Sequence, residues 1–395
     1  MIVMHIDANS AYLSWTAVNM LKNGETTDIR EIASAIGGDP ESRHGIILAK
    51  SVSAKRAGVV TGESIFEAKR KCPDLQLFPP DHDLYARYSD AMFEILYQYS
   101  PVIQRASVDE CYLDYTGCEK VFGDPVKCAY EIKDRIKREL GFTVNIGVST
   151  NKLLAKMGSE LKKPDRVHTL FPEEVPEKLW PLPIEELYMV GRATAKKLRK
   201  ININTIGDLA QTDRNLIKTI LKSHGATVWD YANGIDSSPV VPNEYTPQKG
   251  IGNSVTVSRD IKTREDALKV LLAMTDKVAS RLRRREKFAA VIAINLTNKE
   301  FRKYGHQSKL SRATDSTSEI FDHVTRLFDE CWRGEPLRLL GVSVTEFYED
   351  CQYNMSFFED NAPIEENRAV DEAVDTIRKK FGQNALVRGA LMKKK

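Results

Sequence analysis

The sequence predicts an α+β protein of several domains, and three observations predict it. Its 395 residues, at roughly 100–200 per domain, make two to four domains. As far as Pro164, short β-branched runs alternate with stretches whose apolar residues recur at three- and four-residue steps, the marks of strands interleaved with helices. After a proline-rich stretch, a β-α-β-β-α-β pattern follows as a unit of its own.

Element by element, Met1 to Ile6 is a β-branched apolar run, read as a buried strand that delivers the Asp7 carboxylate at its tip. Ala11 to Leu21 follows as a helix, Asp28 to Asp39 as an irregular glycine-containing stretch, Gly45 to Ala49 as a strand and Ser51 to Gly58 as a small basic helix. Beyond Pro73, Pro79 and Pro80, the positions Leu84, Tyr88, Ala91, Ile95 and Tyr99 mark an amphipathic helix that Pro101 stops. Ser107 to Tyr115 reads as a strand. Asp124 caps a helix with Pro125 in its first turn, a buried stripe at Ala129, Ile132, Ile136 and Leu140, and Gly141 at its end. Thr143 to Val148 alternates as a strand, and Ser149 to Lys163 is a helix closed by Pro164.

From Pro172 to about Gly234 only short helices and turns are expected, and Ser237 to Lys249, with three prolines, reads as a linker. The second unit comprises strand Ser254–Ser258, a helix with Ala267, Leu271, Met274, Val278 and Leu282 on one face, strands Ala289–Leu296 and Phe301–Ser311, helix Ser318–Cys331 and strand Leu339–Phe347. Past Glu349 the chain turns acidic, before a last amphipathic helix (Val370, Val374, Ile377, Phe381) and the basic end Lys393 to Lys395.

Composition excludes several classes of protein. Apolar residues at 42% and charged residues at 29% are those of an ordinary globular chain, which rules out wholesale disorder. A net charge of +3 does not announce a polyanion partner, so any nucleic-acid contact rests on local basic patches. The six cysteines (Cys72, Cys111, Cys118, Cys128, Cys331, Cys351) hold no C-x-x-C pair and the seven histidines are scattered, which argues against zinc ribbons, disulfide frameworks and thioredoxin-type sites. They read as reduced thiols of a cytoplasmic protein. The opening MIVMHIDANSAY is not a signal peptide. No apolar run approaches the roughly 20 residues that span a bilayer, so no membrane partner is expected.

The chemistry concentrates in acids. Asp7 ends the first strand, while Asp109 and Glu110 lie inside the apolar segment SVDECYLD. Burying acids is costly unless something compensates them. A divalent cation compensates three converging carboxylates, and hard oxygen ligands suit Mg²⁺ or Mn²⁺ rather than zinc. Two such ions roughly 3.5–4 Å apart can activate an attacking hydroxyl and hold a leaving pyrophosphate. By itself, an Asp-Glu pair equally fits the solvated end of an ordinary strand.

The ordered series Asp7-Ala8-Asn9-Ser10-Ala11-Tyr12, Ala54-Lys55-Arg56-Ala57-Gly58, Ser107-Val108-Asp109-Glu110-Cys111-Tyr112-Leu113-Asp114, and Ile146-Gly147-Val148-Ser149 with Asn151-Lys152 and Lys163-Pro164 resembles the motifs of the Y-family translesion DNA polymerases, over roughly residues 1–350. The Asp-x-Asn opening and AKSVSAKRAG look most like the branch holding UmuC, the catalytic subunit of DNA polymerase V, with DNA polymerase IV more distant.

The resemblance implies a right-hand polymerase. Its parts would be a ferredoxin-like palm (1–10 and 80–166), small fingers (11–79), a helical thumb with a helix-hairpin-helix (167–236), a linker (237–249), a βαββαβ little finger (250–348), and a clamp-binding tail with a C-terminal helix (349–395). The implied activity is template-directed, low-fidelity extension of a primer 3′ end with dNTPs, past damaged bases during DNA repair, by two-metal nucleotidyl transfer. Asp7 and Asp109 would bridge two Mg²⁺ ions, for which Mn²⁺ can substitute. Glu110 would serve the metal nearer the primer 3′-hydroxyl, and the Ala8 carbonyl would complete the other. The N–H groups of Ser10, Ala11 and Tyr12 would meet the triphosphate, with Asn9 and Ser51 beside it. The Tyr12 ring would block a ribose 2′-hydroxyl, and Lys55 and Lys163 would neutralise the β- and γ-phosphates. Two departures stand out: Val52 and Lys55 occupy places where the family often has Tyr and Arg, and Lys lacks the bidentate fork; Ala8 and Ala11 replace bulkier residues and leave a roomy pocket.

Met189-Val190-Gly191-Arg192-Ala193-Thr194, followed by Lys196, Lys197, Arg199 and Lys200, resembles a helix-hairpin-helix, whose turn offers N–H groups to a phosphate without reading sequence. Ala193 stands where the second glycine is usual. Arg281, Arg283, Arg284, Arg285 and Lys287 end a helix, where cations also offset the macrodipole. The strand residues Arg259, Arg302, Lys303, Lys309 and Arg312 are better placed to grip DNA phosphates. Asn354-Met355-Ser356-Phe357-Phe358 resembles the peptide with which bacterial polymerases bind the sliding clamp, Asn354 replacing the usual Gln and Met355, Phe357 and Phe358 serving as anchors; a tail strand packed on its own domain is the other reading. The expected partners are primer-template DNA, dNTP and the clamp, for a monomer. Two rivals are a nucleotidyl cyclase, which would need neither the hairpin turn nor the second βαββαβ unit, and a non-catalytic DNA-binding repair factor.

Overall fold

The computed structural model describes residues 1–38, 45–245, 247–349, 362–382 and 385–389, with side chains of the last helix from residue 368 on. The chain forms two compact units, Met1–Thr246 and Pro247–Lys395.

The first unit runs β1 (Val3–Ala8), α1 (Ala11–Lys22), β2 (Ser34–Gly37), β3 (Ile47–Lys50), α2 (Val52–Arg56), α3 (Ile65–Lys71), β4 (Gln76–Phe78), α4 (His82–Leu96), β5 (Ile103–Arg105), β6 (Glu110–Asp114), α5 (Glu119–Phe122), α6 (Pro125–Leu140), β7 (Val144–Ser149), α7 (Lys152–Glu160) and β8 (Val167–Thr169). Four short helices follow: α8 (Arg192–Arg199), α9 (Ile206–Gln211), α10 (Arg214–Leu221) and α11 (Ser223–Ala232).

Five strands form the main sheet, in the order β5-β6-β1-β7-β8. Successive side chains of a strand face opposite ways. Met4, Ile6 and Ala8 enter the large core with Trp15, Phe93 and Phe142. On the other face, Val3 packs with Ala155 of α7. That helix lies directly on β7 because position 147 has no side chain: a Cβ there would sit 1.9 Å from the Ala155 carbonyl oxygen. Helix α6 has its expected cap, with the Lys127 N–H donating to Asp124 Oδ1 at 2.9 Å.

Several elements differ from expectation. The stretch read as irregular contains β2, which pairs with β3 and β4 in a second sheet. Four buried residues are too few to show a period. Asp109 lies outside β6, in a turn where the Ala106 and Ser107 N–H groups both donate to the Glu110 carbonyl. Ser149 to Asn151 do not join α7: Ser149 ends β7, and Asn151 caps the helix by accepting the Leu154 N–H at 2.8 Å. β8 pairs with β7, so the sheet reaches Thr169, beyond the expected palm boundary.

The second unit has the expected order: β9 (Gly250–Ile261), α12 (Arg264–Arg283), β10 (Phe288–Asn298), β11 (Lys303–Thr314), α13 (Thr317–Cys331) and β12 (Leu337–Tyr348), then α14 (Ala362–Phe381). Its sheet is antiparallel, ordered β11-β10-β12-β9. Leu271, Val278 and Leu282 of α12 and Ile320, Val324 and Phe328 of α13 cover one face.

The last helix does not dock through its apolar stripe. Val370 and Phe381 are 59% and 66% exposed, while Asp371 and Arg378 are buried. α14 docks through ion pairs: Arg283 reaches Asp371 at 3.1 Å and Asp375 at 2.7 Å, and Arg378 reaches Asp276 at 2.7 Å. Arg388 joins Asp276 to Asp371 at 2.9 and 2.7 Å. Arg283 is therefore a structural residue, the reading that competed with DNA binding for the cations at that helix end.

Candidate active site

β1 gathers the acids. In the sheet register Asp7 stands opposite Glu110 on β6 and Asn145 on β7. Its neighbour Ala8 donates its N–H to the Asp109 carbonyl at 2.9 Å. Asp7 and the adjacent pair Asp109 and Glu110, about a hundred residues apart in the chain, thus meet at one corner of the sheet.

Their environments differ. Desolvation pushes the Asp7 carboxyl up to about 6, opposed by Lys163 and reinforced by Glu160 and Asp109. Lys163 Nζ lies 3.1 Å from Asp7 Oδ2 and 2.9 Å from Glu160 Oε1. Glu110 moves the other way, to about 2, held down by the His5 ring and by Lys156. Lys156 Nζ is 2.7 Å from Glu110 Oε2. His5 is fully buried and bonds Ser159 Oγ through Nδ1 at 2.8 Å. Its Nε2 stands 3.4 Å from Glu110, a long contact that leaves this nitrogen without a well-formed hydrogen bond. Burial lowers the His5 pKa. Asp109 accepts a hydrogen bond from the Ser107 hydroxyl. Each acid thus faces its own partner, and among the described residues no three acidic, histidine or cysteine side chains stand ready to hold an ion.

A cleft of about 520 Å³ opens at this corner, walled by residues 7–12 and 48–52 with Lys55, Thr61, Asp109, Lys163 and Pro164. Glu110 lies just outside that wall. The start of α1 faces the cleft without a side-chain cap, its Ser10 in the left-handed region at φ 46°. Tyr12 stacks on Tyr85 of α4, and His82 meets it edge-on with ring centroids 6.1 Å apart. Lys55 is exposed at the end of α2. Lys50, not singled out in the sequence, also lines the cleft, and burial followed by the nearby Lys55 charge lowers its pKa.

Two residues expected to hold substrate have committed side chains. The Ser51 hydroxyl accepts the Ala54 N–H at 3.1 Å, capping α2, and the Ser34 N–H at 3.2 Å. Asn9 Oδ1 accepts the Thr143 hydroxyl and the Asp165 N–H, both at 2.9 Å. Both residues line the cleft, but their polar atoms serve the scaffold. Sequence reasoning missed Lys156, His5 and Asn145. The available signals were a histidine two residues before Asp7, on the same strand face, and a lone asparagine in the apolar run VNIGVS.

Farther along, Gly191 opens α8 beside a depression of about 820 Å³ that Lys196, Arg199 and Lys200 line. Ala193 is exposed, and Arg199 is paired with Glu185 at 2.6 Å. In the second unit, the sheet face opposite α12 and α13 is a trough of about 1040 Å³. Small residues floor it, because the register aligns Gly305, Asn295, Gly341 and Ser254 across all four strands. Lys303 borders the trough and Arg259 is exposed. Arg312 is instead ion-paired with Glu319, and Lys309 with Glu346 at 2.6 Å, so these two guanidinium and ammonium groups already have partners. Met355, Phe357 and Phe358 lie outside the described residues.

Comparison with known proteins gives a consistent answer. Residues 6–160 match the impB/mucB/samB family, residues 172–203 the helix-hairpin-helix motif of that family, and residues 248–356 its C-terminal domain. The chain is 45% identical to a DNA polymerase IV of Clostridium acetobutylicum, covering 100% of this chain and 98% of that one. It is 38% identical to a DNA polymerase IV of Acetivibrio thermocellus, with 99% and 97% covered. To DNA polymerase IV 1 of Bacillus subtilis it is 34% identical, with 100% and 94% covered. Its fold is similar to that of a solved Y-family DNA polymerase chimera, with a TM-score of 0.75 at 22% identity, covering 89% of this chain and 100% of that one. The lean toward a UmuC-like branch finds no support among these relatives, which bear the DNA polymerase IV name.

Proposed function

This chain belongs to the impB/mucB/samB family of Y-family translesion DNA polymerases and is a DNA-directed DNA polymerase; from that premise we propose that its cleft extends a primer 3′ end with dNTPs by two-metal nucleotidyl transfer, at low fidelity and past damaged template bases. The observation that carries this reading is the register that sets Asp7 against Glu110, with Asp109 tied to Ala8, at the mouth of the cleft.

The donor set fits Mg²⁺, with Mn²⁺ as a substitute. Asp7, Asp109, Glu110 and the Ala8 carbonyl offer only oxygen, and the raised pKa of Asp7 marks a buried acid whose charge is under-compensated. When bound, the ions supply Lewis-acid activation of the primer hydroxyl and neutralise the departing pyrophosphate. The chain does the rest. Asp7 and Glu110 turn from their lysines, and Lys163, freed from Asp7, joins Lys55 on the β- and γ-phosphates. The first N–H groups of α1, at Ser10, Ala11 and Tyr12, receive the triphosphate. The Tyr12 ring closes the space that a 2′-hydroxyl would need.

The main sheet with α4, α6 and α7 serves as palm, β2–β4 with α2 and α3 as fingers, and the helices after Pro172 as thumb. Gly191 and Lys196 meet a DNA phosphate there, with Ala193 in the same turn. In the second unit the small-residue trough receives the duplex, with Lys303 and Arg259 at its edge; Arg312 drops out of this set. The chain works in the cytoplasm as a monomer of the DNA polymerase IV type, tethered to the sliding clamp through Met355, Phe357 and Phe358.

Primer extension with Asp109→Ala and Glu110→Ala tests the reading. DNA binding should persist while extension falls to below about a thousandth, the scale of losing one preorganised charge-stabilising group. Extension at the parental rate in both variants would overturn it.

A further inference from the structure

We infer that Asn145 is a positioning residue of the nucleotide site: it sets where Lys163 stands, and through Lys163 how firmly the incoming triphosphate is held. The inference rests on the role proposed above for Lys163.

Asn145 is fully buried in the middle of the main sheet. A primary amide there is costly unless its donors and acceptor are satisfied. Three of its four bonds reach the end of α7 and the loop that follows it, and the fourth reaches Asn9. Asn145 Nδ2 donates to the Ser159 carbonyl at 3.0 Å and to the Lys162 carbonyl at 2.8 Å. Its Oδ1 accepts the Arg166 N–H at 3.3 Å and the Asn9 amide at 3.2 Å. Asn9 in turn holds the Asp165 N–H. The two asparagines therefore grip the loop on both arms, before Lys163 and after it. At the apex between those arms, the Lys163 ammonium is delivered to Asp7.

The side chain suits this task in a way its neighbours in chemistry do not. Aspartate has the acceptor but neither donor, and would face two carbonyls with a negative charge. Leucine matches the shape and makes none of the four bonds. Serine is too short to reach both arms. A purely structural asparagine would contribute stability alone. A positioning asparagine must show its effect in nucleotide affinity, and only while Lys163 is present.

The test is a double-mutant cycle in the full-length enzyme, read as dNTP dependence of single-nucleotide extension and as dNTP affinity for a complex with a dideoxy-terminated primer. Asn145→Ser should raise the dNTP KM about tenfold, the worth of one or two misplaced charge-assisted bonds, with kcat within about twofold. In a Lys163→Ala background the same change should add almost nothing. Should Asn145→Ser fold poorly by thermal melting, Asn9→Ala removes the Asp165 arm together with the Asn9 bonds to Thr143 and Asn145 but leaves the Ser159, Lys162 and Arg166 bonds of Asn145, and should give a smaller rise in KM of the same kind, again only while Lys163 is present. An unchanged KM in folded Asn145→Ser or Asn9→Ala, or full additivity with Lys163→Ala, overturns the inference. If Lys163→Ala alone leaves the dNTP KM unchanged, the phosphate role of Lys163 falls instead.

Discussion

Tyr12 and Tyr85 stack face to face, their ring centroids 4.2 Å apart and their planes within 10° of parallel. The Tyr85 hydroxyl is 3.2 Å from Thr16 Oγ1, one turn along α1. The Tyr12 ring is thus braced from behind rather than free to swing. Tyr12→Ala should lower discrimination against ribonucleotides by about a hundredfold, the scale on which a shaped pocket rejects one added hydroxyl. Tyr85→Leu, which leaves Tyr12 in place but unbraced, should lower it by less. Competing dNTP and rNTP incorporation measures both, and unchanged sugar selectivity in Tyr12→Ala would refute the gate.

The two paired acids should respond oppositely to neutralisation. Asp7, at about 6 against an ordinary 3.8, has a folded pKa above its unfolded one. Its ionisation therefore costs stability as pH rises through 6, by up to about 3 kcal/mol at about 1.36 kcal/mol per unit. Glu110, at about 2 against 4.5, contributes stability above pH 4.5 that is lost as pH falls toward 2. In metal-free enzyme at pH 7.5, Asp7→Asn should melt several degrees higher and Glu110→Gln lower, and neither should extend a primer. Melting temperatures measured in chelator check this pair, and equal shifts of one sign would contradict it.

The ionic seat of α14 predicts a strong asymmetry. Removing one partner of a buried ion pair strands the other charge, at about 3–5 kcal/mol. Arg283→Met leaves Asp371 and Asp375 without it and should expose the chain around α14 to limited proteolysis, while extension on primed DNA without a clamp stays near parental. Exchanging Lys287, whose partner Glu349 is 86% exposed, should change little.

DNA contacts should show in salt. Lys196→Ala and Lys303→Ala should each weaken duplex binding at all sequences and reduce the slope of log affinity against log salt by about one. Arg312→Ala, already paired with Glu319, should leave that slope unchanged. Binding titrations at several salt concentrations separate the two groups.

How much of this was readable in the chain depended on the length of each signal. Helix α6 carried a cap, a proline and a four-residue stripe, and the cap and the proline stand where expected, with Ala129, Ile132 and Ile136 of the stripe buried and Leu140 partly so. β2, β4, β5 and β8 have three or four residues each, too few to show any period, and exist because distant strands offer them hydrogen bonds. The acids were legible as charges in apolar runs. Lys156 and Asn145 were not, since only the laying of α7 across β7 brings Lys156 to Glu110 and only the pairing of β1 with β7 sets Asn145 opposite Asp7. α14 misled because Asp371, Asp375 and Arg378 recur at the same helical spacing as its apolar residues. Which stripe turns inward was decided by Arg283 and Asp276, about a hundred residues upstream.

Position 147 has one more implication. Where backbone meets backbone, as it does between this glycine and Ala155, the spacing is dictated by the van der Waals radii of main-chain atoms instead of by the volume of interchangeable side chains. Lys156 and the loop bearing Lys163 ride on that spacing. Substitutions that swell or shrink the surrounding interior can alter how stable the enzyme is, yet they have no lever on the height of α7 above the strands. The corner that gathers the acids is in this sense insulated from drift in the core, and one of its points of vulnerability is a residue that carries no side chain at all.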